Sequence, residues 1–200
     1  ANEVRGITGL SHILEHMAFK GTAELGTKDI NKEREAMEAE DAAFQALKTE
    51  RLKGEQADPA KLEELEAAFT AAKDAAREFV ETNEFGQIIE NNGVQGLNSY
   101  TNSDVTVYLY NFPSNRLEMW AYLEGSRMAD PVLREFYTEK DGPVTEERRM
   151  RTDNNPIGRM IEQFQNLMFM ANGYHHSTIG YMSDIENISR ADCQRYYDEN

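Results

Sequence analysis

Two histidines four residues apart, with a glutamate directly before the second, lie inside an otherwise apolar stretch, Leu10-Ser11-His12-Ile13-Leu14-Glu15-His16-Met17-Ala18-Phe19. Leu10, Ile13, Leu14, Met17 and Phe19 predict a mostly buried helix over about residues 9–19, ended by Gly21. Two imidazoles and a carboxylate are costly in such a helix unless something partners them. Positions i and i+4 lie nearly above one another on a helix, so both rings can reach one ion while Glu15 flanks them. The order His-x-x-Glu-His is the inverted form of a zinc-binding helix. Zinc takes neutral imidazoles, and its catalytic sites combine three protein ligands with a position left for water. His12 and His16 are therefore candidate ligands for Zn2+, and Glu15 is a candidate general base.

Such a site needs one more protein ligand, and acidic candidates cluster after Phe136. Glu139 and Glu146 are seven positions apart, two helical turns, and share a face. Glu147 is the runner-up, with surface pairing to Arg151 at i+4 as the competing reading. Gly142-Pro143 falls between the glutamates, where proline should disturb the turn before it. Asn98-Ser99-Tyr100-Thr101 leads into Val105, Val107 and Leu109 alternating with Thr106, Tyr108 and Tyr110, which predicts extended chain closed by Pro113. A sheet edge there can hold an extended peptide by main-chain hydrogen bonds, so Asn98, Ser99 and Tyr100 are candidate substrate-binding residues.

Several classes are disfavoured. A net charge of −15 argues against a general nucleic-acid binder. The densest basic run, Arg148-Arg149-Met150-Arg151, follows Glu146-Glu147 and reads as pairing within one helix. No run approaches the 18 apolar residues of a membrane span. His175 and His176 are adjacent and read as structural, and the lone Cys193 has no base nearby in sequence. No phosphate loop or dinucleotide fingerprint is present.

Residues 31–84 hold 15 acidic and 8 basic side chains, a charge of −7, with thirteen alanines. Asp58-Pro59 reads as an N-cap and first helical position, making residues 36–80 an inserted helical hairpin. Phe44 and Leu47 on one arm should face Leu62, Leu65 and Phe69 on the other, as in a solvated antiparallel coiled coil. Leu117, Trp120, Leu123 and Met128, and later Met160, Phe164, Leu167 and Met168, have helical spacing and read as core. Thr27 is read as the cap of the second helix and Ser189 or Asp192 as the start of the last.

With Gly6, Gly9, the His12–His16 core and Met17-Ala18-Phe19-Lys20-Gly21-Thr22, the first segment closely resembles the pitrilysin/insulinase-type zinc metallopeptidases, in particular the N-terminal domain of the mitochondrial processing peptidase beta type. Asn98 to Thr101, Glu139 to Arg151, and Ile179-Gly180 through Ile188 resemble family landmarks in the family's order. The resemblance implies that Glu146 is the third ligand, as the later member of a Glu-x6-Glu pattern, and that Glu139 is the assisting carboxylate. It also implies that Asn98, Ser99 and Tyr100 hold the peptide, with Ser99 replacing the usual alanine. The implied fold class is α+β, with helices packed on one face of a mostly antiparallel sheet, incomplete at both ends, so that residues 1–200 form a partial N-terminal metallopeptidase domain. The implied function is a zinc metalloendopeptidase, and the alternative is a non-catalytic structural or clamp subunit. A zinc-stabilised binding module is a third reading, one that would tolerate loss of Glu15. Expected partners are a peptide or unfolded polypeptide substrate and a second homologous domain or subunit. Compartment stays open, with a bacterial periplasm or envelope preferred to the cytoplasm.

Overall fold

Helix α1 (Leu10–Met17) lies at the centre of the computed structural model, which describes residues 3–200. Leu10, Ile13 and Met17 are fully buried along one side of it. Its first turn is closed by Glu3, whose carboxylate accepts the backbone N–H groups of Gly9 at 2.7 Å and Ser11 at 2.6 Å. Gly9 has φ 97° and meets Gly180 across a backbone contact so close that a Cβ on Gly9 would lie 2.6 Å from the Ile179 carbonyl oxygen. Only glycine fits there, and this contact fixes where α1 enters the core.

Helices α2 (Ile30–Arg51) and α3 (Pro59–Arg77) form the expected hairpin, with Asp58 capping α3 and Pro59 at its start. The cap of α2 is Asp29, whose side chain accepts from the Lys32 N–H, and not Thr27. The hairpin is not a solvated arm. Phe44, Leu47 and Phe69 are buried in the same cluster as Leu10, Ile13, Phe136 and Tyr137. The Phe44 and Tyr137 rings lie 4.4 Å apart, and Arg190 pairs with Glu40 and Asp41. The apolar stripes therefore turn toward the rest of the chain as well as toward each other.

Helix α4 (Glu84–Asn91) leads into β1 (Gln95–Thr101) and β2 (Thr106–Asn111), an antiparallel pair in which Thr101 faces Thr106. These two strands make up the sheet among the described residues, and with helices over it the chain is of the α+β class. Helix α5 (Leu117–Ala129) packs on the sheet mainly through Leu123 and Arg127. The Arg127 guanidinium lies 4.4 Å from the centre of the Tyr108 ring. The helix α6 (Phe136–Glu139) then runs without a break through a π-turn at Lys140–Val144, α7 (Thr145–Arg148) and a second π-turn at Arg149–Asp153. Helices α8 (Pro156–Met168), α9 (Met182–Asn187) and α10 (Arg190–Glu199) complete the chain, α10 opening with Ser189 and Asp192 in a reciprocal cap.

Two of the predicted core faces are corrected. On α5, Leu117, Trp120 and Met128 are exposed, and on α8 Met160, Phe164, Leu167 and Met168 are exposed, Leu167 by 72%. Their spacing does gather them on shared faces, but no described element covers those faces. No helix among the described residues is long and apolar enough to cross a membrane.

The segment after α1 is held by Arg134, 1% exposed, which donates to the carbonyls of Lys20, Thr22 and Leu25 and pairs with fully buried Glu33 at 2.7 Å. One guanidinium thus reaches three loop carbonyls, of which that of Leu25 also accepts the Thr22 N–H.

Candidate metal centre

His12 and His16 project from one face of α1, with ring centroids 4.8 Å apart. The carboxylate facing them is Glu147, on α7: its Oε2 lies 3.3 Å from His12 Nε2 and 3.5 Å from His16 Nε2. The expected Glu146 is not brought to the histidines. Its side chain is 66% exposed and pairs with Arg149, whereas that of Glu147 is 20% exposed.

The π-turn explains the change of residue. Pro143 has no N–H to give the Glu139 carbonyl and its ring crowds that oxygen, so the α-helical ladder cannot continue there. The backbone N–H of Thr145 instead reaches Lys140, five residues back, and the Thr145 hydroxyl bonds the same carbonyl at 2.8 Å. A turn closed by an i→i+5 bond holds one residue more than an α-turn. Every position beyond it is displaced by one, so the residue two turns from Glu139 is its eighth neighbour, Glu147. Arg148 then locks the rotation of α7, donating to Glu162 at 3.0 Å and to the Gly180 carbonyl at 2.8 Å. With Thr145 and Arg148 facing inward, Glu146 faces solvent.

Glu139 is in place despite the proline. It accepts from His16 Nδ1 at 3.0 Å, and Lys20 holds its other oxygen at 2.7 Å. Burial alone would pull the His16 imidazole down and push Glu139 up. The paired carboxylates outweigh burial at His16, raising it to about 9, while His16 and Lys20 hold Glu139 below the usual carboxylate range. The imidazoles of His12 and His16 beside it hold Glu147 well below the usual carboxylate range. Glu15, also buried, accepts a 2.5 Å hydrogen bond from the Thr101 hydroxyl. All these groups border a cleft of about 560 Å³ that is also lined by Asn98, Ser99 and Tyr100 of β1, by Phe19 and by Phe85.

The donor set fits zinc. Tetrahedral ligands at about 2.0–2.1 Å from the ion are about 3.3–3.4 Å from one another. The two contacts to Glu147 match this separation, and all three donor atoms lie within 4.8 Å of one another. Glu139, on the far ring nitrogen of His16, holds that ring in one orientation, as a carboxylate behind a metal-bound imidazole would. Among the described residues no other group of three histidine, cysteine or acidic side chains converges in this way. His175 and His176 are buried elsewhere, each with Nδ1 against a backbone carbonyl, and burial pushes the Cys193 thiol up, away from a nucleophile's range.

The fold and this cluster present an inverted His-x-x-Glu-His motif, with two candidate ligands on one helix and an acidic candidate on a second. Residues 1–52 match the sequence model of the insulinase family, peptidase family M16. The chain is 26% identical over 198 residues to the zinc protease PqqE of Helicobacter pylori, covering 98% of this chain and 32% of that protein. It also superposes on the crystal structure of a protease from Helicobacter pylori with a TM-score of 0.66, at 26% identity, over 98% of this chain and 34% of the other. The resemblance to the insulinase-type peptidases is thus borne out, and the chain spans about a third of the length of these relatives.

Proposed function

We propose that this chain supplies the zinc site and the general base of a metalloendopeptidase, with His12, His16 and Glu147 as ligands. The observation that carries the reading is the convergence of those three donors, with Glu15 beside them, in a cleft bordered by β1. Zinc bound there would lower the pKa of a water to about 7 and polarise a carbonyl. Glu15 accepts the proton of the attacking water and returns it to the leaving amine. Glu139 keeps the His16 ring oriented, with Lys20 neutralising its second oxygen. The substrate lies extended against β1, where Asn98, Ser99 and Tyr100 line the cleft, so that main-chain hydrogen bonds hold it with little demand on sequence. The relatives named as a zinc protease and a protease support this reading. A clamp subunit has no need for a complete ligand trio with a buried base, which favours the enzyme.

The test is cleavage of a peptide library by the full-length protein, with and without a chelator. Glu15→Gln is expected to keep zinc and lose turnover, because glutamine fills the space but takes no proton. A Glu15→Gln variant that cleaves at the wild-type rate would eliminate the base assignment and leave a zinc-stabilised binding module as the better account.

A further inference from the structure

Glu15 is a buried carboxylate on the cleft face of α1. The one hydrogen bond it accepts among the described residues comes from Thr101 Oγ1, 2.5 Å from Oε2. The same hydroxyl lies 3.0 Å from Thr106 Oγ1, directly across the strand pair. The direction of this chain of hydroxyls is fixed by inventory. Thr101 has a single hydroxyl proton and donates it to Glu15 Oε2, so in its contact with Thr106 it accepts and Thr106 donates. Each bond polarises the next, strengthening the one that reaches the carboxylate.

Thr101 is the last residue of β1, the strand whose Asn98, Ser99 and Tyr100 border the cleft. Glu15 stands on a different element, α1. We infer that Thr101, supported by Thr106, is a positioning residue for the general base: it pins Glu15 Oε2 so that Oε1 takes the proton, and it ties the base to the strand that holds substrate. The inference rests on the peptidase reading for its catalytic consequence, though not for the contact itself. A glutamate on a helix face has several staggered rotamers, and without a donor at Oε2 the carboxylate would sample more than one. A misplacement of about 1 Å is enough to cost on the order of 10²-fold in rate.

The experiment uses the full-length protein loaded with zinc and compares Thr101→Val, Thr101→Ser and Thr106→Val. Valine keeps the shape of threonine and removes the donor. For Thr101→Val the expectation is a fall in kcat of about 10–100-fold, with KM and zinc stoichiometry unchanged. Thr101→Ser, which restores the hydroxyl, should return kcat to within a few-fold, and Thr106→Val should give a smaller loss than Thr101→Val. Crystal structures of the zinc-loaded wild type and Thr101→Val supply a readout independent of turnover: Glu15 in one rotamer with threonine and in more than one with valine. Should Thr101→Val not fold, the Thr101→Ser and Thr106→Val pair carries the same contrast. A Thr101→Val protein with wild-type kcat and one ordered Glu15 conformer overturns the inference. If the wild type itself cleaves nothing, the peptidase reading falls, and the Glu15 rotamers still decide whether Thr101 positions that carboxylate.

Discussion

Replacing Glu147 and Glu146 separately by alanine gives the sharpest test of the helix register. Glu147 offers Oε2 at 3.3 and 3.5 Å from the two imidazole nitrogens, the spacing of ligands around one ion, while Glu146 is exposed and bound only to Arg149. Zinc held by four ligands in small peptides is worth about 10–16 kcal/mol, so one ligand of four contributes about 2.5–4 kcal/mol. Glu147→Ala should therefore raise the zinc Kd on the order of 10²–10³-fold. Glu146→Ala removes one side of a solvent-exposed ion pair, worth about 0–1 kcal/mol of stability, and should leave zinc affinity unchanged. The assay is competition against a chromogenic chelator with the full-length protein at fixed pH. Zinc lost from Glu146→Ala and retained by Glu147→Ala would show that α7 is rotated by one residue from the arrangement described, and the π-turn argument would fall with it.

Phe44→Ala should destabilise the protein by about 3–5 kcal/mol in urea unfolding, because the ring is buried against Tyr137 and Phe69; a change within about 0.5 kcal/mol would mark the hairpin as a solvated arm after all. Glu50 accepts from Lys53, the Asp58 N–H and Lys61, which hold its carboxyl down to about 2. Since the folded value lies below the unfolded one, that stabilisation is fully present above about pH 4.5 and is lost as pH falls toward 2. The gap in Tm between wild type and Glu50→Gln should therefore shrink across that window, and a constant gap would contradict the clamp.

The helix bearing the motif was legible because apolar spacing and a metal-ligand pattern coincide in the same few residues, but its end was not: the helix stops at Met17 with Ala18 as its cap, four residues short of Gly21. The hairpin arms were legible from Asp58-Pro59 and from Phe44 and Phe69, and the last helix from Ser189. What the stripes concealed was their partner. Three-and-four spacing shows that Met160, Phe164 and Leu167 share a side of α8, yet nothing in periodicity says what lies opposite, and that side is exposed. The same limit hid the burial of Phe44 against Tyr137, ninety-three positions later in the chain. Glu147 was ranked behind Glu146 because counting by sevens assumes an unbroken α-helix. Pro143 was visible, but its effect, one extra residue in the turn, depends on which carbonyl the freed N–H groups find. Thr101 lay within the Asn98–Thr101 landmark, but nothing in the sequence tied it to Glu15, because that contact joins residues 86 apart.

The wide turn at Lys140–Val144 also bears on how chains of this kind should be compared. A helix is usually treated as a ruler on which no gap is allowed, and by that rule Glu146 is matched to the ligand position. Here the ruler stretches by one division at a proline, and the chemistry resumes beyond it with its spacing intact. On the reading proposed above, a single-residue gap at Lys140–Val144 would be needed before Glu147 could be compared with an acidic ligand counted by sevens. Variants with one residue removed from that turn would then be the natural relatives to seek, because in them the fixed seven-residue count and the ligand would coincide again.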